Sequence, residues 1–118
     1  YRRRHGLVAE FDTPLGLFLQ AAPARDTLAR LLRNLKEIHR SAEDWPRALA
    51  VQQRLVILLP GAAEEWRDRG LVWAELSRPG DAVADLQAYL DARPQAEDAS
   101  AIRDRLHELR QQDAPRLH

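Results

Sequence analysis

The sequence predicts an all-α fold: a right-handed α–α superhelix of two helical hairpins closed by a C-terminal capping helix. Three observations carry this expectation. From Asp26 onward apolar residues recur at i, i+3, i+4 and i+7, the spacing of a helix with one buried stripe. Pro60 and Pro94 lie 34 residues apart, and Leu32 with Trp66, Lys36 with Gly70, His39 with Trp73 and Ala48 with Ala82 match at the same offset. No stretch reads as a strand.

Residues 1–26 differ from the rest and read as a connector to an upstream domain. Thr13 followed by Pro14 predicts a short helix over 14–20, proline being tolerated in a first turn. Leu15, Phe18 and Leu19 would dock it on the first hairpin. Asp26 is the expected N-cap of the first long helix, its carboxylate accepting from free first-turn amides. That helix runs to Arg40, with Leu28, Leu31, Leu32, Leu35, Ile38 and His39 as its apolar stripe. Ser41 to Asp44 make a turn, and Asp44 caps a second helix from Trp45 to Leu59 with Pro46 in its first turn. Its inward face is Ala48, Leu49, Gln52, Leu55, Val56 and Leu59. Pro60-Gly61 ends it.

A third helix is expected over 63–76. Gly70 in its middle costs about 1 kcal/mol against alanine, which makes sense where a partner helix comes close, and Ala82 is the small residue expected to face it. Ser77-Arg78-Pro79-Gly80 forms the next turn, and a fourth helix, about 81–92, buries Ala82, Leu86, Tyr89 and Leu90. A fifth helix over 96–112 is apolar through Ile102, Leu106 and Leu109 and charged opposite, as a terminal cap requires. The domain reading is therefore repeat one at 29–62, repeat two at 63–96, a cap at 96–112 and a frayed tail at 113–118.

With 118 residues the chain suits one domain. Lys plus Arg and Asp plus Glu number 18 each, and the balance is also local, at 10 against 10 over residues 27–94. Phosphate binding needs a lopsided positive surface, so no nucleic-acid partner is expected. Arg2-Arg3-Arg4-His5, a basic cluster at a terminus, reads as a solvated tail. The absence of cysteine excludes disulfides, thiolate metal sites and a cysteine nucleophile within these residues and fits a cytoplasmic setting. No apolar run approaches the roughly 18–20 residues of a membrane span, so no membrane partner is expected. The start at Tyr1, in a chain without methionine, suggests a segment of a longer polypeptide.

Chemistry is scarce. His5, His39, His107 and His118 form no i, i+4 pair and no HExxH motif. His39 falls in a packing column, and His107 on the surface of the capping helix. Glu64-Glu65 opens the third helix, where negative charge suits the helix dipole. Ser41, Ser77 and Ser100 lie at turns or beside helix starts, none within a G-x-S-x-G elbow. The three tryptophans fit core packing better than ligand stacking. Neither enzymatic activity, nor a metal, nor a cofactor is expected.

A 34-residue period of helix, turn, helix and proline resembles the tetratricopeptide repeat. The resemblance implies a module for binding protein or peptide, monomeric as an isolated domain, with a concave groove lined by the first helix of each hairpin. The groove positions fall on Arg30, Arg33, Asn34, Glu37 and Arg40 in repeat one, and on Glu64, Arg67, Asp68, Leu71 and Ala74 in repeat two. Arg30, Arg33 and Arg67 make a basic strip able to hold a carboxylate by bidentate bonds, or else paired with Glu37, Glu64 and Asp68 on a solvated face. Glu64 stands where the carboxylate clamp of other members needs a base, which disfavours that mode.

The runs 31–36 (LLRNLK), 44–49 (DWPRAL), 67–71 (RDRGL) and 85–90 (DLQAYL) resemble the C-terminal part of the bacterial SirB-type proteins over residues 17–112. That resemblance implies an upstream transglutaminase-like domain holding any cysteine–histidine chemistry, and a groove that docks either that domain or another protein. The alternative is a structural domain that stabilises or oligomerises its parent. His39 in place of a tyrosine and Gln87 in place of an acidic residue depart from the pattern without disturbing the fold.

Overall fold

In the computed structural model, which describes residues 22–113, five helices follow one another: α1 (Ala22–Ser41), α2 (Trp45–Leu58), α3 (Ala63–Glu75), α4 (Pro79–Ala92) and α5 (Ala99–Asp113). Among the described residues there is no strand. Each helix packs on its sequence neighbours, so α1–α2 and α3–α4 form antiparallel hairpins and α5 lies on α4. The result is the expected superhelix of two hairpins and a cap. The short helix expected over 14–20 lies outside the described residues.

α1 starts earlier than its expected cap. Asp26 sits inside the helix, Pro23 occupies the first turn, and the Thr27 hydroxyl donates to the Pro23 carbonyl at 2.9 Å. Proline's fixed φ and missing amide suit a helix start, so no side-chain cap is needed at Asp26. Asp44 does cap α2: its carboxylate accepts from the Arg47 amide at 3.4 Å, with Pro46 in the first turn.

The two intra-hairpin turns are the same device. After α1, the Asp44 amide bonds the His39 carbonyl at 2.8 Å and the Glu43 amide bonds that of Arg40 at 2.9 Å, with Glu43 at φ 55°. After α3, Arg78 bonds Trp73 at 2.9 Å and Ser77 bonds Ala74 at 3.1 Å, with Ser77 at φ 59°. Both are Schellman closures, with a left-handed residue just past the helix end. Glu43 and Ser77 lie 34 residues apart, so the period is repeated in backbone geometry. Because this closure takes only Ser77 and Arg78, α4 begins at Pro79, two residues before the expected start. α5 likewise begins at Ala99, three residues after its expected start.

Apolar packing falls into two clusters. Ala29, Leu32, Val51 and Leu55 join α1 to α2, while Ala63, Leu86, Tyr89, Ile102, Leu106 and Leu109 are among those that join α3, α4 and α5. Gly70 is where α3 meets α4 most closely. A Cβ there would lie 2.9 Å from Leu86 Cγ and Cδ2 and 3.2 Å from Asp85 Cβ. The expected facing residue was Ala82; the nearest neighbours are instead Leu86 and Asp85, further along the same helix. Asp85 also accepts from Arg69 Nε and Nη2 at 2.7 and 2.8 Å, a bidentate pair beside the contact. The apolar stripe expected on α1 divides: Leu32 turns inward, but Leu31, Leu35 and Ile38 are exposed and Lys36 is buried instead.

Two substitutions test this packing. Gly70→Ala should lower stability by about 1–3 kcal/mol through overpacking against Leu86, despite alanine's better helix propensity, as read from urea unfolding. Ser77→Gly should raise stability by about 0.5–1 kcal/mol by relieving the left-handed backbone, as read from the same midpoint.

Candidate groove and the charged cluster beneath it

Arg30, Arg33, Glu37 and Arg40 follow one another at spacings of three and four, which places them on one face of α1. Beneath that face lies a cluster of charges at the junction of α1, α2 and α3. Glu65 Oε1 accepts from Gln52 Nε2 at 2.7 Å and from Lys36 Nζ at 3.2 Å. Glu65 Oε2 accepts from Arg33 Nε and Nη2 at 3.2 and 3.1 Å. Lys36 Nζ also reaches Asp68 Oδ2 at 3.0 Å, and Gln52 Nε2 reaches the Glu65 carbonyl at 3.0 Å. Gln52 and Glu65 are buried, as is the whole of Lys36.

Burial alone would push the Glu65 carboxyl up. The Gln52 hydrogen bond, the Lys36 charge and the Arg33 contact outweigh it and hold the group below its ordinary value. The carboxylate is therefore the stable form, and two cations face two carboxylates.

A second lock sits beside the first. Arg67 donates to Asp68 Oδ1 and Asp98 Oδ2, both at 2.9 Å, and lies over the Tyr89 ring at 5.5 Å from its centroid. The Tyr89 hydroxyl donates to the other Asp98 oxygen at 2.5 Å. That bond and Arg67 lower the Asp98 pKa against partial burial, while burial and the Asp98 charge raise that of Tyr89. Asp68 and Asp98 hold the Arg67 guanidinium well above its ordinary value against the effect of burial.

The expected groove residues therefore part company. Arg33 is bound to Glu65 and Arg67 to Asp68 and Asp98, so two of the three members of the basic strip have internal partners. Of the partners expected for them, only Asp68 is used, by Arg67. Arg30 makes no ion pair among the described residues. It lines a cleft of about 450 Å³ with Arg33, Asp26, Ala29, Leu59 and Ala62. Glu37 pairs with Arg40 at 3.1 Å, Asn34 is exposed, and Ala74 packs against the core of α3 to α5. Glu64 approaches Arg93 at 3.7 Å.

Asp68 and Leu71 line another cleft, of about 290 Å³, with Arg40, Trp45, Val72, Glu75 and Arg105. Its walls come from α1, α2, α3 and α5. Trp45, Leu71 and Val72 give it an apolar floor; Arg40, Arg105, Asp68 and Glu75 give it a rim of both signs. Such an arrangement suits an apolar side chain flanked by charges and offers no nucleophile or paired acid and base. Trp45 and Arg105 were not expected in a site. The signal for Arg105 was present, since it stands 34 residues after Leu71; Trp45 was read as a helix-start residue. Among the described residues no group of histidine and carboxylate side chains could hold a metal ion, and no helix is long and apolar enough to cross a membrane.

The tetratricopeptide repeat profile matches residues 35–107, more than half of the chain. The chain belongs to the tetratricopeptide repeat family. A protein called UPF0162 protein from Xylella fastidiosa strain Temecula1 is 35% identical over 98 residues, and its counterpart in strain 9a5c is equally similar. The match takes in 83% of this chain but 35% of each relative, so the chain spans about a third of their length. As a tetratricopeptide repeat domain, it has the fold of a protein-interaction scaffold.

The charge cluster gives a pH prediction. Since the Glu65 pKa is lower folded than unfolded, its contribution is complete above the ordinary value near 4.5. It is lost as pH falls through the depressed folded value, because the unfolded chain takes up the proton first. Glu65→Gln should flatten that acid limb, measured as unfolding free energy from pH 7 to pH 3. Glu65→Ala should cost about 3–5 kcal/mol at pH 7, as breaking a buried pair does.

Proposed function

We propose that the domain is a docking module whose cleft at Arg40, Trp45, Asp68, Leu71 and Arg105 receives a segment of another protein or of the remainder of its own parent chain. One observation carries this reading: side chains of α1, α2, α3 and α5 converge on an apolar floor with a rim of mixed charge. Convergent apolar and polar groups in a concavity are the usual form of a binding site. Arg30 and Arg33, in the neighbouring cleft on the same face of α1, extend the surface. Arg30 to Arg40 spans about 15 Å at 1.5 Å per residue, enough for several residues of an extended peptide. Asn34 and Glu37 lie along that path. Arg67 and Ala74 act from beneath, by holding the groove in shape.

The length of the relatives, nearly three times that of the match, leaves room for a further domain. The four sequence blocks shared with SirB-type proteins point to a transglutaminase-like one, which makes an upstream domain in the parent chain the first candidate partner. No chemistry is assigned to the repeats themselves.

A second reading is supported by the internal pairing of Arg33 and Arg67. In it these residues serve only to stabilise a domain of a larger protein, without a separate partner. Amide-shift titration of the isotope-labelled chain with the separately expressed remainder of the parent distinguishes the two. Docking predicts saturable shifts at Arg40, Trp45, Leu71 and Arg105. Leu71→Glu should weaken the interaction at least tenfold while shifting the melting temperature by no more than a few degrees. Arg33→Glu with Arg67→Glu should instead lower the melting temperature strongly. No shifts at millimolar concentration, with the remainder of the parent or with a peptide panel, would sink the docking reading.

A further inference from the structure

α1, α3 and α5 stand in equivalent places at 34-residue offsets, and two positions in each test what covers them. Leu31 and Ile38 of α1 correspond to Glu65 and Val72 of α3 and to Ala99 and Leu106 of α5. Glu65 and Val72 are 3% and 2% exposed, and Ala99 and Leu106 are both 4% exposed, where α3 packs on α2 and α5 packs on α4. Leu31 and Ile38 are 55% and 60% exposed. With Leu28 and Leu35 they form one helical stripe at positions 28, 31, 35 and 38, and Leu35 too is exposed. In this repeat register, α1 presents an uncovered apolar stripe to the place where the second helix of a preceding hairpin would lie.

We propose that residues 11–19 of this same chain cover that stripe and complete the first layer of the stack. Moving α2 back by 34 positions places it on residues 11–24, of which 11–21 precede α1. In that register Leu15 takes the place of Leu49, Leu17 that of buried Val51, and Phe18 that of buried Gln52. The last substitution is matched across the contact. Gln52 meets Glu65 at 2.7 Å between hairpins; the equivalent pair is Phe18 with Leu31. A polar pair in one layer is replaced by an apolar pair in the other, so each covering residue agrees with the surface that it would cover.

Length agrees as well. From Leu28 to Ile38 the stripe is about 15 Å long at 1.5 Å per residue. Nine residues span about 13 Å as a helix and about 30 Å extended, so the segment is long enough in either form. Only Gln20 and Ala21 separate it from α1, within the short connections common between antiparallel helices.

The test uses the whole chain, whose lack of cysteine lets a single nitroxide be placed at will. Gly16→Cys carries one label, and Gln20→Cys a second, so that neither touches Phe18 or Leu31. The proposal expects strong broadening of the Leu28, Leu31 and Leu35 methyl signals by the label, with Ile102 and Leu109 unaffected. The effect should persist in a tenfold excess of unlabelled, diamagnetic chain. Phe18→Asp should raise the relaxation of the Leu31 methyls by a soluble paramagnetic probe several-fold. Broadening that appears only between a spin-labelled copy and an isotope-labelled copy would overturn the proposal in favour of self-association through α1. Absence of broadening from both label positions would overturn it outright, as would no response of Leu31 to Phe18→Asp.

Discussion

The carboxylate of Glu65 is the constraint on which the rest of the structure depends. The two apolar clusters do not merge: one belongs to α1 and α2, the other to α3, α4 and α5. What fixes their junction is largely directional, with Glu65 accepting from Gln52 of α2 and from Lys36 and Arg33 of α1. Taking such charges out of water costs several kcal/mol per ion before their attraction offsets it. The net gain in stability is therefore small beside the gain in geometry. Hydrophobic contact tolerates sliding, whereas four hydrogen-bond distances near 3 Å to two oxygens do not. The angle between hairpins, and with it the shape of the groove above the cluster, follows from that carboxylate.

The same economy explains the charge balance of the domain. Arg33, Lys36, Arg67 and Arg69 face Glu65, Asp68, Asp85 and Asp98 within the fold, so these charges of a neutral chain act as internal fasteners. Arg67 joins α3 to the start of α5 through Asp98, and Tyr89 brings α4 to the same carboxylate. Every junction between successive layers thus carries at least one charged hydrogen bond, while apolar burial supplies the bulk of the free energy inside each layer.

Much of this was legible in the sequence, for identifiable reasons. The 34-residue period, the Asp44 cap and the close approach at Gly70 all rest on short-range backbone rules, which act whatever the tertiary surroundings. The direction of the α1 stripe does not. A helical period shows that Leu28, Leu31, Leu35 and Ile38 share a face but not which neighbour, if any, lies against it. Lys36 carried a signal, since it stands where the second repeat has Gly70, and a charge in a packing column needs a buried partner. Glu65 concealed that partner by its position in a first turn, where a carboxylate already has a reason to be. Arginine misled in another way. Arg33 and Arg67 have backbones on the groove side, yet each side chain is long enough to turn its guanidinium back to a carboxylate below.

That diversion of arginine sets the chemistry left to the groove. With Arg33 and Arg67 engaged, Arg40 shared with Glu37, and Arg105 shared with Glu108, an acidic ligand would have to displace an internal partner for most of the positive charge it met. Exposed ion pairs are worth at most about 1 kcal/mol, so such exchange is nearly neutral and selects weakly for charge. The floor of Trp45, Leu71 and Val72 has no internal competitor of that kind. Discrimination between ligands falls to the side chain that fills this floor, and the rim of both signs serves to orient the segment that carries it.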